Sequence, residues 1–168
     1  MFMPELKDIQ KYEEEKKAKY KDDGYLPGER EYKTFDVKKD FETWPSKGEY
    51  TINIILPEFS CLCPRSGYPD FACLYLNYLP KDKIVELKAL KLYVNSFYNT
   101  KKSHEAVCNE ILNTLKDLLD PVYIELIACF NPRGNVFTKV VCSHGDKQKY
   151  LDKCEAVPMT HDFKAMHF

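Results

Sequence analysis

Residues 71–97, FACLYLNYLPKDKIVELKALKLYVNSF, decide the fold, because the hydrophobic period changes inside them. Phe71 to Leu79 is dense in aromatic and aliphatic side chains and stops at Pro80, the pattern of a strand. Past Pro80 the apolar positions Leu87, Leu90, Val94 and Phe97 recur at three and four residues, which predicts an amphipathic helix. Lys88 and Lys91 fall on its other side.

Upstream, Tyr50, Ile52, Ile54 and Leu56 alternate with Thr51, Asn53 and Ile55, a period of two that predicts a strand ended by Pro57. Glu58 to Pro69 then reads as a long loop holding Cys61, Cys63, Pro64 and Gly67. Long loops inside compact domains usually carry function. Downstream, Val107, Ile111, Leu115 and Leu118 mark a second helix, with Ser103 at its N-cap and Asp120-Pro121 as its stop. Val122 to Phe130 and Val136 to Val141 predict two more strands around the turn-rich Asn131-Pro132-Arg133-Gly134-Asn135. The order is ββααββ, an α+β domain over residues 35–142. Residues 1–34 read as a charged arm, and residues 143–168 as a polar tail without an assigned element.

A chain of 168 residues suits one domain with a full core. Its 44% apolar and 30% charged residues, with net charge −1, give no general attraction to a nucleic-acid backbone. No apolar run is long enough for a membrane helix, and Met1 to Tyr20 lacks a signal-peptide core. The expectation is a cytoplasmic protein whose seven cysteines are reduced.

Three groups of residues have chemical potential. Cys63 attacks only as a thiolate and needs a base or a positive field, and Asp70 is near enough in sequence to fold back on it. Packing for the cysteine and turn chemistry for the aspartate explain the same residues. His104-Glu105 opens the second helix, where a carboxylate complements the helix dipole and can also receive a ligand's N–H groups. Lys88 and Lys91, three apart on one helix, suit a phosphate or simply a solvated face, and Arg133 adds a cation from the distal turn. A zinc site from Cys61, Cys63, His104 and Cys108 is weighed against spacing that departs from the usual structural pattern. No Gly-rich phosphate loop appears, so a nicotinamide cofactor would bind outside a Rossmann framework.

Together these groups resemble the unimodular 7-cyano-7-deazaguanine reductases of queuosine biosynthesis, the QueF family. The family signature E-[SL]-K-[SA]-x-K-[LY]-[YFW] is met at every position from Glu86 to Tyr93, between the Cys-Pro and His-Glu elements. The match runs from about Phe59 to Gly134. The resemblance implies a tunnelling fold (T-fold), an antiparallel sheet with two helices on one face, assembled as a homo-oligomer, commonly a homodecamer of two stacked pentamers. It implies NADPH-dependent reduction of the nitrile of 7-cyano-7-deazaguanine to 7-aminomethyl-7-deazaguanine, without direct nucleic-acid binding and without a metal. Cys63 would form a covalent thioimide and Asp70 would supply the proton. Val85, Glu86, Leu87, His104 and Glu105 would bind the substrate, and Lys88, Lys91 and Arg133 would face NADPH. Cys61 is a second thiol two residues from the nucleophile, and the spacing suggests a reversible disulfide with Cys63 under oxidation. In the same fold, a GTP cyclohydrolase-like hydrolase would need zinc ligands, and a related amidinotransferase would lack the lysine signature. A non-catalytic purine-binding protein is the reading from another class.

Overall fold

The computed structural model describes residues 35–155, so the arm expected over 1–34 lies outside the described residues, as does 156–168. A four-stranded antiparallel sheet has the order β2-β3-β5-β6, from β2 (Ile52–Leu62), β3 (Pro69–Leu79), β5 (Tyr123–Arg133) and β6 (Val136–Gly145). Between β3 and β5 the chain inserts α2 (Leu87–Asn95) and α3 (His104–Leu119). The ββααββ order therefore holds. Around it lie α1 (Val37–Asp40), a two-stranded sheet of β1 (Thr43–Pro45) with β4 (Lys83–Val85), and α4 (Lys147–Glu155).

One sheet face carries the core. Leu74, Leu76 and Tyr78 from β3 and Ile124, Leu126, Ala128 and Phe130 from β5 are buried with Val107, Ile111 and Leu115 of α3 and Leu90, Val94 and Phe97 of α2. Burying a side chain of this size contributes about 1.5–3 kcal/mol, so these rows dominate the fold. Ser103 caps α3 by accepting from Ala106 N–H, and Asp120 ends it in the left-handed region at φ 44°. Leu87, expected on the apolar stripe, is 65% exposed; Ala89 and Tyr93 take its place beside Leu90 and Val94.

Three sequence expectations change. Pro57 does not end its strand. The β2–β3 register passes from Leu56↔Leu74 to Phe59↔Ala72, so Pro57 and Glu58 together oppose Cys73 in a bulge. On an edge strand a proline can sit there because its missing N–H interrupts little. The bulge reverses the side-chain alternation, and Phe59 and Cys61 turn into the core. Second, the long loop is absent: β2 runs to Leu62 and β3 starts at Pro69, leaving a short turn. Third, the polar tail is structured at first. β6 continues to Gly145, and α4 is anchored by Tyr150 Oη donating to Asn53 Oδ1 at 2.9 Å and by a Lys153–Glu49 ion pair. The domain thus passes the expected limit at residue 142.

Candidate active site

The turn after β2 is closed by two backbone bonds, Cys63 N–H to Tyr68 O and Gly67 N–H to Cys63 O, both 2.8 Å. Gly67 supplies the left-handed φ of 69° that the reversal requires. Inside the turn Ser66 Oγ accepts from Tyr68 N–H at 3.3 Å, which leaves its O–H free to donate. That hydroxyl, the backbone N–H groups of Ser66 and Arg65, and the Arg133 guanidinium stabilise a thiolate on Cys63. Against a partial loss of solvent they hold its pKa down to about 7 from an ordinary 9.0. Cys63 is half-buried, and so reachable.

Asp70 belongs to the inward row of β3, directly opposite Cys61. Its side chain is 3% exposed, the single buried charged group among the described residues. A guanidinium and an imidazole reach it. Arg133 Nη1 stands 2.7 Å from Oδ1, and His104 Nε2 lies 3.5 Å from Oδ2. The arginine approaches off the line of a directed hydrogen bond, so Oδ1 is charge-paired yet has no aligned donor.

His104 arrives by a separate route. Leu62 N–H donates to Thr100 O and Lys102 N–H to Leu62 O, each 3.0 Å, laying residues 100–102 along the end of β2. The N-terminus of α3 is thereby delivered to the turn. The imidazole stacks on Phe130 with centroids 3.7 Å apart and planes 9° apart, which fixes its plane. Phe130 in turn meets Phe59 edge-on at 6.4 Å, so the site has an aromatic floor. Glu105 beside it is exposed, and its own N–H and the Ser103 hydroxyl hold its pKa below the usual carboxylate value.

The residues singled out from sequence thus divide. Cys63, Asp70, His104 and Arg133 come together, with Glu105 adjacent in the chain. Val85, Glu86 and Leu87 have no hydrogen bond or ion pair to that cluster. Val85 is buried and donates its N–H to Tyr78 Oη at 3.2 Å. The Glu86 carboxylate is spent on the N-cap of α2, accepting from Lys88 N–H at 2.9 Å and Ala89 N–H at 2.6 Å, and these bonds lower its pKa. Lys88 and Lys91 are exposed on α2, and Lys91 makes no ion pair with the described residues. Arg133 is with Asp70 and Tyr68, its guanidinium 5.0 Å over the tyrosine ring. Ser66, Tyr68 and Phe130 were missed from sequence, and only Ser66, three residues after Cys63 in the same turn, carried a signal. Cys61 is fully buried with its thiol pushed up to about 11 by burial and by the Asp70 charge, a poor partner for exchange with Cys63 at neutral pH. Cys108 is buried and pushed up to about 12, and no three metal-ligating side chains converge among the described residues.

A family model described as QueF-like protein matches residues 69–149, which contain Asp70, Glu86 to Tyr93, His104, Glu105 and Arg133. Proteins named NADPH-dependent 7-cyano-7-deazaguanine reductase are similar over most of their length. That of Campylobacter lari is 57% identical over 117 residues, 68% of this chain and 91% of the relative. Those of a Nitratiruptor species and of Sulfurimonas denitrificans are 59% and 54% identical over 115 residues, each 67% of this chain and 88% and 92% of the relative. This chain belongs to the QueF family. The apo crystal structure of an archaeosine synthase QueF-Like matches with a TM-score of 0.56 at 20% identity, over 60% of this chain and 98% of that one, and supports the shared fold alone. The QueF-family match ends beyond β6, in agreement with the extended domain limit, and Cys63 lies upstream of its start. No helix among the described residues is long and apolar enough to cross a membrane.

Proposed function

We propose that this chain reduces the nitrile of 7-cyano-7-deazaguanine to 7-aminomethyl-7-deazaguanine with NADPH, through a thioimide on Cys63. The observation that carries the reading is a stabilised thiol and a buried carboxylate that share the Arg133 guanidinium, in a chain 57% identical over 117 residues to a reductase of that name. A nitrile is a weak electrophile, and covalent addition converts it into a more reactive C=N centre. The Cys63 sulfur bonds to the nitrile carbon as one π bond of C≡N opens. The thiol proton passes to the Asp70 carboxylate and from there to the nitrogen, so Asp70 ends as it began. His104 stands on Phe130 where it can hold or hand on a second proton, and ionised Glu105 would receive N–H groups of the deazaguanine edge.

The exposed cations Lys88 and Lys91, on one side of α2, fit the phosphates of NADPH, which supplies hydride when bound. Val85, Glu86 and Leu87 would line the substrate pocket partly through backbone atoms, since the Glu86 carboxylate is engaged. β2 and β6 are edge strands with unpaired backbone groups in a single chain, which favours a ring-like homo-oligomer, two stacked pentamers in our reading. The amine product would serve queuosine formation in the cytoplasm.

The test has two stages. Mixing protein with 7-cyano-7-deazaguanine alone should give a mass increase equal to the ligand, and added NADPH should then be oxidised at about two per nitrile. Cys63→Ala should abolish both signals. An adduct without NADPH oxidation would point to amidinotransferase chemistry and sink the proposal.

A further inference from the structure

Arg133 follows a part of β5 whose inward residues are core, and nothing in its sequence position connects it to Asp70. In the folded chain its contacts all belong to the neighbourhood of the nucleophile. Nη1 is 2.7 Å from Asp70 Oδ1, the guanidinium lies over Tyr68, and the same group helps to lower the pKa of Cys63. The register explains how it arrives. Phe130 pairs with Ala72 of β3, the β5–β6 ladder shifts between Phe130 and Arg133, and the hairpin closes at once, leaving Arg133 over the start of β3. Tyr68 is 65% exposed, and its carbonyl holds the Cys63 N–H, so the platform and the nucleophile share one backbone bond.

We propose that Arg133 is a positioning residue: standing on Tyr68, it pins the Asp70 carboxyl and offsets its negative charge beside the Cys63 sulfur. The proposal rests on the Cys63–Asp70 reading of the site, but not on the identity of the substrate. Asp70 and Cys63 both act on the Cys61 thiol between them, and two anions in so small a region repel, so a cation shared by both lowers the cost of the thiolate. The charged or titratable groups facing this pair are Cys61 from β2, Arg65 of the turn, His104 and Glu105 from α3, and Arg133 from β5. Arg65 reaches the sulfur through its backbone N–H. His104 is cationic only when protonated. Arg133 is the permanent cation in contact with Asp70, and a planar guanidinium can bridge carboxyl, sulfur and ring in a way an ammonium cannot. Tyr68 is exposed for the same reason: its ring face carries the cation.

The experiment follows alkylation of Cys63 by iodoacetamide against pH, read by mass spectrometry of the Cys63 peptide, with no substrate present. Arg133→Gln should raise the midpoint by about 0.5–1 pH unit, slowing the reaction at pH 7 by about two- to five-fold. Tyr68→Ala should shift it less in the same direction, Tyr68→Phe should leave it unchanged, and Arg133→Lys should fall between. In an Asp70→Asn background the Arg133→Gln shift should drop to less than about half, because the charge it balances is gone. An undiminished shift there would overturn the action through Asp70. An unchanged midpoint in folded Arg133→Gln, with NADPH binding weakened in a fluorescence titration, would give the arginine to the cofactor and overturn the proposal. Should Arg133→Gln melt too low to assay, Tyr68→Ala reads the same coupling. Failure of the nitrile-reductase reading would show separately, as absence of the ligand adduct in wild-type protein.

Discussion

Ser66→Ala is the most direct perturbation of the nucleophile, because the Ser66 hydroxyl is the largest single influence lowering the Cys63 pKa. The geometry leaves that hydroxyl a single use as a donor: its oxygen is occupied by Tyr68 N–H at 3.3 Å, and its proton is free for the sulfur. With a pKa of about 7, Cys63 is half thiolate at pH 7; below that it is protonated and slow, and above it the reactive form dominates. Losing the hydroxyl while keeping the two backbone donors and Arg133 should raise the pKa by about one unit, and the thiolate fraction at pH 7 then falls from about one half to about one eleventh, roughly five-fold. The assay is the iodoacetamide rate at Cys63 from about pH 5.5 to about pH 10, which brackets the lowered and the ordinary thiol values, with the plateau at high pH as internal control. Cys61 at about 11 and Cys108 at about 12 are buried and should stay silent over most of that span. A wild-type midpoint near an ordinary thiol value, or a Ser66→Ala midpoint equal to wild type, would refute the account of how this turn activates its cysteine.

Three further outcomes are expected. Asp70→Asn should keep the fold and slow the ligand adduct by about 100-fold or more in a mass-resolved time course, since it removes the proton carrier. Gly145→Ala should destabilise by roughly 2–3 kcal/mol in urea unfolding: Gly145 has φ 93°, and an added Cβ would lie 2.2 Å from Val122 O. Leu126→Ala, in the buried β5 row against α3, should cost about 2–5 kcal/mol in the same assay and leave the Cys63 alkylation midpoint unmoved at a temperature where the protein is folded.

What the sequence made legible is what repeats. The period of two in residues 50–56 and the three-four spacing of Leu90, Val94, Val107, Ile111 and Leu115 are averages over many side chains, and they survived. Single-residue events did not show. Pro57 reads as a stop from its chemistry alone, and only the pairing partner reveals that the strand absorbs it as a bulge. Leu87 is apolar and correctly spaced but sits in the first turn of α2, past the reach of the core. β1 and β4 are three residues each, too short for any periodicity. In the site, Cys63 with Asp70 and His104 with Glu105 were each legible as a short-range pair, and only the family resemblance joined the two pairs. Arg133, Phe130 and Tyr68 join them only through strand register and turn geometry.

The location of Asp70 explains why the site has these particular neighbours. It occupies the first position of an inward row otherwise filled by Ala72, Leu74, Leu76 and Tyr78. An unpaired carboxylate there would carry a desolvation penalty of several kcal/mol, and a leucine would pack better. The fold offsets that penalty from three sides: the guanidinium of Arg133, the imidazole of His104, and the amino end of α3, whose dipole favours negative charge. The arginine comes from β5 and the other two from α3, and both elements arrive because of a register or a backbone bridge that the hydrophobic pattern does not encode. Half-exposed Arg133 is the one of the three that can be drawn off without dismantling the core.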